Sequence, residues 1–130
     1  METALRLEIN TNIPDLKDKI YPTNAPEGSK GPYLVYSRIT TRKIKTLQGL
    51  IGKEYLSYMF SIMATRYGDM KRITKQVENL LISLPGQQIG DFYIEDLDIN
   101  NIHEVYEHEL KVNRGIIDFT IYFEEVEKYG

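Results

Sequence analysis

Cysteine is absent from the 130 residues, and so is tryptophan. Without a thiol there is no disulfide framework, no thiolate ligand for zinc or an iron–sulfur cluster, and no thiol nucleophile. Histidine occurs only as His103 and His108. Five positions apart, they fall on opposite faces of a strand, or about 140° apart on a helix, and do not converge on one metal or proton. No apolar run approaches the roughly 18 residues of a membrane span, and Met1-Glu2 does not open a signal peptide, so an intracellular chain with no membrane partner is expected. Basic charge is also scarce. Sixteen Lys and Arg against 19 Asp and Glu leave a net charge of −3 and a pI near 5.4, which argues against a protein that coats nucleic acid. Neither Gly-x-Ser-x-Gly nor His-Glu-x-x-His occurs, so no enzyme chemistry is named.

What is present is ordinary for a soluble globular chain: 42% hydrophobic and 27% charged residues. The length suits a single domain, residues 1–130, whose folded surface should be about 7,100 Å². The first twenty residues read as helical, with Pro14 and Asp15 fitting a new helix start. Three prolines and two glycines between Tyr21 and Pro32 predict a loop. Tyr33–Ile39 reads as a strand, and Tyr55–Tyr67 as a longer one. In the latter, Leu56, Tyr58, Phe60, Ile62 and Ala64 form the core face, leaving Tyr55, Ser57, Met59, Ser61 and Met63 for the other face. Thr40–Glu54 between them reads as a long loop.

Ile73, Val77, Leu80, Leu81 and Leu84 repeat at three and four, which predicts a helix over about 70–84, capped by Asp69 and stopped by Pro85-Gly86. Phe92, Ile94 and Leu97–Ile99 suggest a strand. His103–Val112 and Ile116–Val126 read as a hairpin closed by Asn113-Arg114-Gly115, with Ile117, Phe119, Ile121 and Phe123 inward. The expected fold is α+β in the order α-β-β-α-β-β: an antiparallel sheet of four to five strands with helices on one face.

Two constellations invite a ligand. Gly49-Leu50-Ile51-Gly52-Lys53-Glu54 has the glycines too close for a phosphate-binding loop, lacks its Ser or Thr, and precedes a strand, so it is rejected. Asp96, Asp98, Asn100, Glu104 and Glu107 fall at positions 1, 3, 5, 9 and 12 of a calcium loop. Asn101 stands where the sharp bend needs glycine, and no flanking helices are evident. A small calcium-binding module is therefore an alternative, and an acidic solvated surface the simpler expectation. No metal or other cofactor is predicted.

Charge is segregated. Asp91–Leu110 holds seven acids and no Lys or Arg, including Asp96, Asp98, Glu104 and Glu107. Arg42, Lys43, Lys45 and Lys53 make the Thr40–Glu54 segment basic, and it also carries Leu47, Leu50 and Ile51. An acidic strip and a basic, partly apolar loop suit head-to-tail self-association or docking on a charged partner. These eleven residues are the candidate interface set.

One resemblance covers nearly the whole chain. The helical lead-in runs into Ile20-Tyr21-Pro22, Ala25-Pro26-Glu27-Gly28 and Pro32-Tyr33-Leu34-Val35-Tyr36, followed by a long strand and the Gly68-Asp69 helix. Tyr106-Glu107, Arg114 and Asp118-Phe119 then come in the final hairpin. In order and spacing this resembles the tail-completion proteins of long-tailed bacteriophages and prophages, also called tail terminators or tail-to-head joining proteins. The resemblance implies a structural virion protein without catalysis. It implies a homo-oligomeric, hexameric ring that caps the head-proximal end of the tail, stops tube polymerisation and joins tail to head. The implied partners are the tail tube protein and the head–tail connector or neck protein. No sequence-specific nucleic-acid binding is implied, and assembly takes place in the bacterial cytoplasm. Another neck or minor tail component is the alternative within the virion.

Overall fold

The computed structural model describes residues 1–29, 31–46 and 49–126, with side chains outside the segment 40–53. The elements are helix α1 (Glu2–Asn12), a 3-10 turn (Pro14–Leu16), β1 (Ile20–Pro22), β2 (Tyr33–Thr46), β3 (Gly49–Ala64), helix α2 (Tyr67–Ser83), β4 (Gln88–Ile89), β5 (Phe92–Glu107) and β6 (Val112–Glu125). The six strands form one sheet in the order β1-β2-β3-β6-β5-β4.

The fold is α+β, but the sheet has six strands and is mixed, since β1 runs parallel to β2. The two extra strands are three and two residues long. Strands so short carry no readable alternation, which is why the sequence suggests only four or five. The longer β2, β3, β6 and β5 are antiparallel throughout.

One face of the sheet holds the core. Leu56, Tyr58, Phe60 and Ile62 from β3 and Ile117, Phe119, Ile121 and Phe123 from β6 are buried with Ile73, Val77, Leu81 and Leu84 of α2. Phe60 and Phe119 meet edge to face, ring centroids 4.7 Å apart. From α1, Leu5 and Ile9 join the core while Leu7 stays exposed. The fourfold spacing of Leu5, Ile9 and Ile13 is the stripe that the intervening Leu7 obscures. Helix α2 starts at Tyr67 rather than Met70, and no side chain caps it; Asp69 lies in its first turn.

Three further expectations need correction. Thr40–Glu54 is not a loop: β2 continues to Thr46 and β3 begins at Gly49, drawing on the β-branched Thr40, Thr41, Ile44 and Thr46 between its charges. Phe92–Ile99 and His103–Val112 are not separate strands, because β5 runs unbroken to Glu107. The hairpin closes at residues 108–111, with Lys111 in the left-handed region at φ 55°, not at Asn113-Arg114-Gly115. Gly115 sits inside β6, where a Cβ would collide with Thr74 and with Met70 Sδ of α2. Its glycine serves helix–sheet contact rather than a turn.

The accessible surface is 7994 Å², above the roughly 7,100 Å² expected for this mass. Part of this surface is β5, which is exposed along most of its length.

Candidate interaction surfaces

The acidic set lies along β5, the strand next to the sheet's edge. In an extended strand, positions 96 and 107 are separated by roughly 36 Å. The spacing that suggests a calcium loop therefore disperses its ligands, and the loop reading is corrected: Asp96, Asp98, Asn100, Glu104 and Glu107 do not converge on one cation. Among the described residues no group of three or more His, Asp and Glu is placed to hold a metal.

Each acid has its own local role. Leu97 N–H donates to Asp96 Oδ1 at 2.8 Å, beside the register shift between Ile94 and Asp96. Asp98 lies next to Tyr122, whose phenol is pushed above its ordinary value first by burial and then by the Asp98 carboxylate. Glu104 accepts a hydrogen bond from Tyr67 Oη at 3.0 Å, and Lys71 donates to the same phenol at 3.3 Å. That bond to Tyr67, and secondarily Glu104, raises the Lys71 ammonium above its usual range. Glu107 pairs with Arg114 at 3.0 Å. The lower half of β5 is thus tied to α2 and β6, while Asp96 and Asp98 face outward at its upper half. His103 is on β5 and contacts Asn101 at 3.2 Å; His108 is in the following turn, against the Tyr106 ring. They do not meet.

The other half of the candidate set is Arg42, Lys43, Lys45, Leu47, Leu50, Ile51 and Lys53. Leu47 lies outside the described residues, and so do the side chains of the other six. Their backbone positions are in β2 and β3, and from Lys45↔Leu50 to Thr46↔Gly49 these strands pair with one another alone.

The sheet face away from the helices carries groups that sequence periodicity marks only as a second face. Ser57 Oγ and Thr120 Oγ1 are 2.9 Å apart, and Asn100 Nδ2 donates to the same Thr120 Oγ1 at 2.9 Å. Arg114 Nε donates to Ser61 Oγ at 3.0 Å, so one guanidinium links β3, β6 and the end of β5. With the 23–29 loop, Tyr33, Met59 and Met63 this face forms an open concavity. From its neighbours in sequence Arg114 reads as part of a turn, although the family resemblance also runs through it and Glu107.

Among the described residues the candidate surfaces are thus the β5 strand and the open concavity around Arg114. No curated protein matches the chain. A solved structure titled "Virion of native gene transfer agent (GTA) particle" contains a chain of the same fold, with a TM-score of 0.75 and 12% identity, covering 95% of this chain and 94% of that one. The family described as tail completion protein gp17 matches residues 7–124, nearly the whole length. The chain therefore belongs to the gp17 family of tail completion proteins and is a structural tail protein.

Proposed function

We propose that this chain, acting as one tail-terminator-like domain over residues 1–130, caps the head-proximal end of a tail tube as a ring. The ring stops tube polymerisation and joins tail to head. The observation that carries this reading is the family match over residues 7–124. The physical logic is that of a heterologous interface, which closes into a ring when its rotation permits. A ring matching the tube on one face only leaves no site for a further tube subunit, and growth ends. The role is structural and needs no catalytic residue or cofactor.

In this reading the chain contacts copies of itself, six by family resemblance, together with the tube protein and the connector or neck protein. It assembles in the host cytoplasm. The β2–β3 arm, with Arg42, Lys43, Lys45 and Lys53 among Leu47, Leu50 and Ile51, is the docking arm. Its support is the pairing pattern, since the strands continue beyond the rest of the sheet. Gold-labelled antibody on purified particles tests the location. Label confined to the head–tail junction is expected; label along the tube, or none on particles, contradicts it.

A further inference from the structure

The two sides of the sheet are each shielded over a short stretch and then left open. On one side β1 covers β2 at Leu34, Val35 and Tyr36, and Thr23 N–H closes on the Tyr36 carbonyl at 2.9 Å. From Ser37 onward the outer side of β2 has no partner strand among the described residues. On the other side β4 covers β5 at Phe92 and Tyr93, and Ile94 exchanges backbone bonds with Gly86 and Gln87 at 2.8 and 2.9 Å. From Asp96 to Glu107 the outer side of β5 likewise has no partner strand among the described residues. Unpaired edges of this kind are templates for another chain.

The open edges fit one another. Following the pairing across the sheet, Arg42 is level with Tyr55, Tyr122 and Asp96, while Ser37 is level with Met59, Asp118 and Asn101. Between those rows each edge has one residue too many: the β2 pairing skips Ile39 and the β5 pairing skips Asn100. The extra residues cancel, so Ser37–Arg42 and Asp96–Asn101 are equal in length. Each neighbouring pair from β2 through β3 and β6 to β5 is antiparallel. The two edge strands therefore run in opposite directions, and a junction continuing the sheet is antiparallel too.

We propose that copies of this chain join edge to edge, Asp96–Asn101 of one pairing antiparallel with Ser37–Arg42 of the next. In the register that continues the rows, position 42, an arginine, stands opposite Asp96, and Ser37 stands opposite Asn101. Ile39, which is 59% exposed, stands opposite Ile99. Main-chain hydrogen bonds supply affinity in such strand addition, and the side chains choose the partner. In any register two β5 edges bring one acidic segment, Asp96 to Glu107, against its own copy, and two β2 edges bring the segment holding Arg38 and Arg42 against its own copy. Each edge thus rejects its own kind and accepts the other, which makes the contact heterologous and able to close. Arg38 pairs with Glu2 of its own chain at 3.8 Å and is still 55% exposed. The inference rests on the ring reading and names the surface by which neighbours touch.

The test uses the full chain, whose lack of cysteine gives a clean background. Single-cysteine variants Ser37→Cys and Arg38→Cys are each mixed with Asn101→Cys, Asn100→Cys or His103→Cys and oxidised, and oligomer mass is read by native mass spectrometry. Disulfide-linked dimers are expected for Ser37→Cys with Asn101→Cys and for Arg38→Cys with Asn100→Cys, and loss of the link for pairs with His103→Cys. Asp96→Arg should abolish the oligomer and Arg42→Asp in the same chain restore it, with circular dichroism confirming that each variant is folded. A ring-sized mass with no cross-link in any pair, and no response to charge reversal, overturns the edge contact while leaving the ring intact. A chain that stays monomeric at every concentration overturns both the edge contact and self-assembly, leaving only the family assignment.

Discussion

At Gly115 a single missing methyl group decides how closely α2 lies on the sheet. A Cβ there would enter the space of Thr74 and Met70, so Gly115→Ala should cost about 1–3 kcal/mol by overpacking. Thermal melting would measure the loss, and adding Thr74→Ala should recover part of it; an unchanged Tm for Gly115→Ala would contradict the packing described. Tyr58 presents the opposite problem, since its hydroxyl is buried with no hydrogen-bond partner among the described residues. Burial, with the Glu2 carboxylate adding to it, holds the phenol above its ordinary value of 10.0. Because the folded state resists ionisation, this stabilisation is complete below about pH 10 and is lost as pH rises beyond it. Tyr33 shifts the same way through burial. Tyr58→Phe should therefore change stability by no more than about 1 kcal/mol at neutral pH and move alkaline unfolding to higher pH. At this scale the sequence is legible where a residue obeys a period, as Phe119 and Ile121 do. It misleads where one residue type serves two ends: glycine suits both a turn and a close approach, and only the position of α2 decides between them for Gly115.

Among elements, the β5–β6 hairpin is closed by a turn that contains no glycine, and Arg114 fastens it from within. Its guanidinium reaches Ser61 and Glu107, both at 3.0 Å, across three strands. Arg114→Ala should cost about 1–2 kcal/mol, and Glu107→Gln less. A double-mutant cycle would show the two coupled, whereas simple additivity would mean that the pair contributes nothing. The β2–β3 arm makes the contrasting prediction. Lys43 and Glu54 face each other in register, so replacing residues 44–53 with Asn-Gly gives a two-residue hairpin. That variant should melt within a few degrees of the parent and yet fail to complete tails. A collapse of Tm would show that the arm serves the fold instead. Helix α2 was legible because five apolar residues keep one period over about three turns. The arm was not, because Thr40–Thr46 mixes threonine with lysine and arginine in no fixed order and Gly49–Lys53 holds two glycines, so neither stretch shows a period. The calcium spacing failed for a related reason: positions in sequence specify a site only if the backbone bends, and β5 is extended.

Across the whole molecule, a net charge of −3 is divided between an acidic β5 and a basic β2, on opposite sides of one sheet. That division was visible from the sequence; that both stretches lack an outer partner strand among the described residues was not, since strand order depends on pairing between distant segments. Family membership over residues 7–124 makes the chain a structural tail protein, and the edge contact proposed above would give its copies a means of closing the proposed ring. Deletion of the gene from the parent phage or prophage, with the products imaged by negative-stain electron microscopy, tests the capping role most directly. DNA-filled heads beside unattached tails of irregular or excessive length are expected. Normal, infectious particles carrying tails of normal length would contradict it.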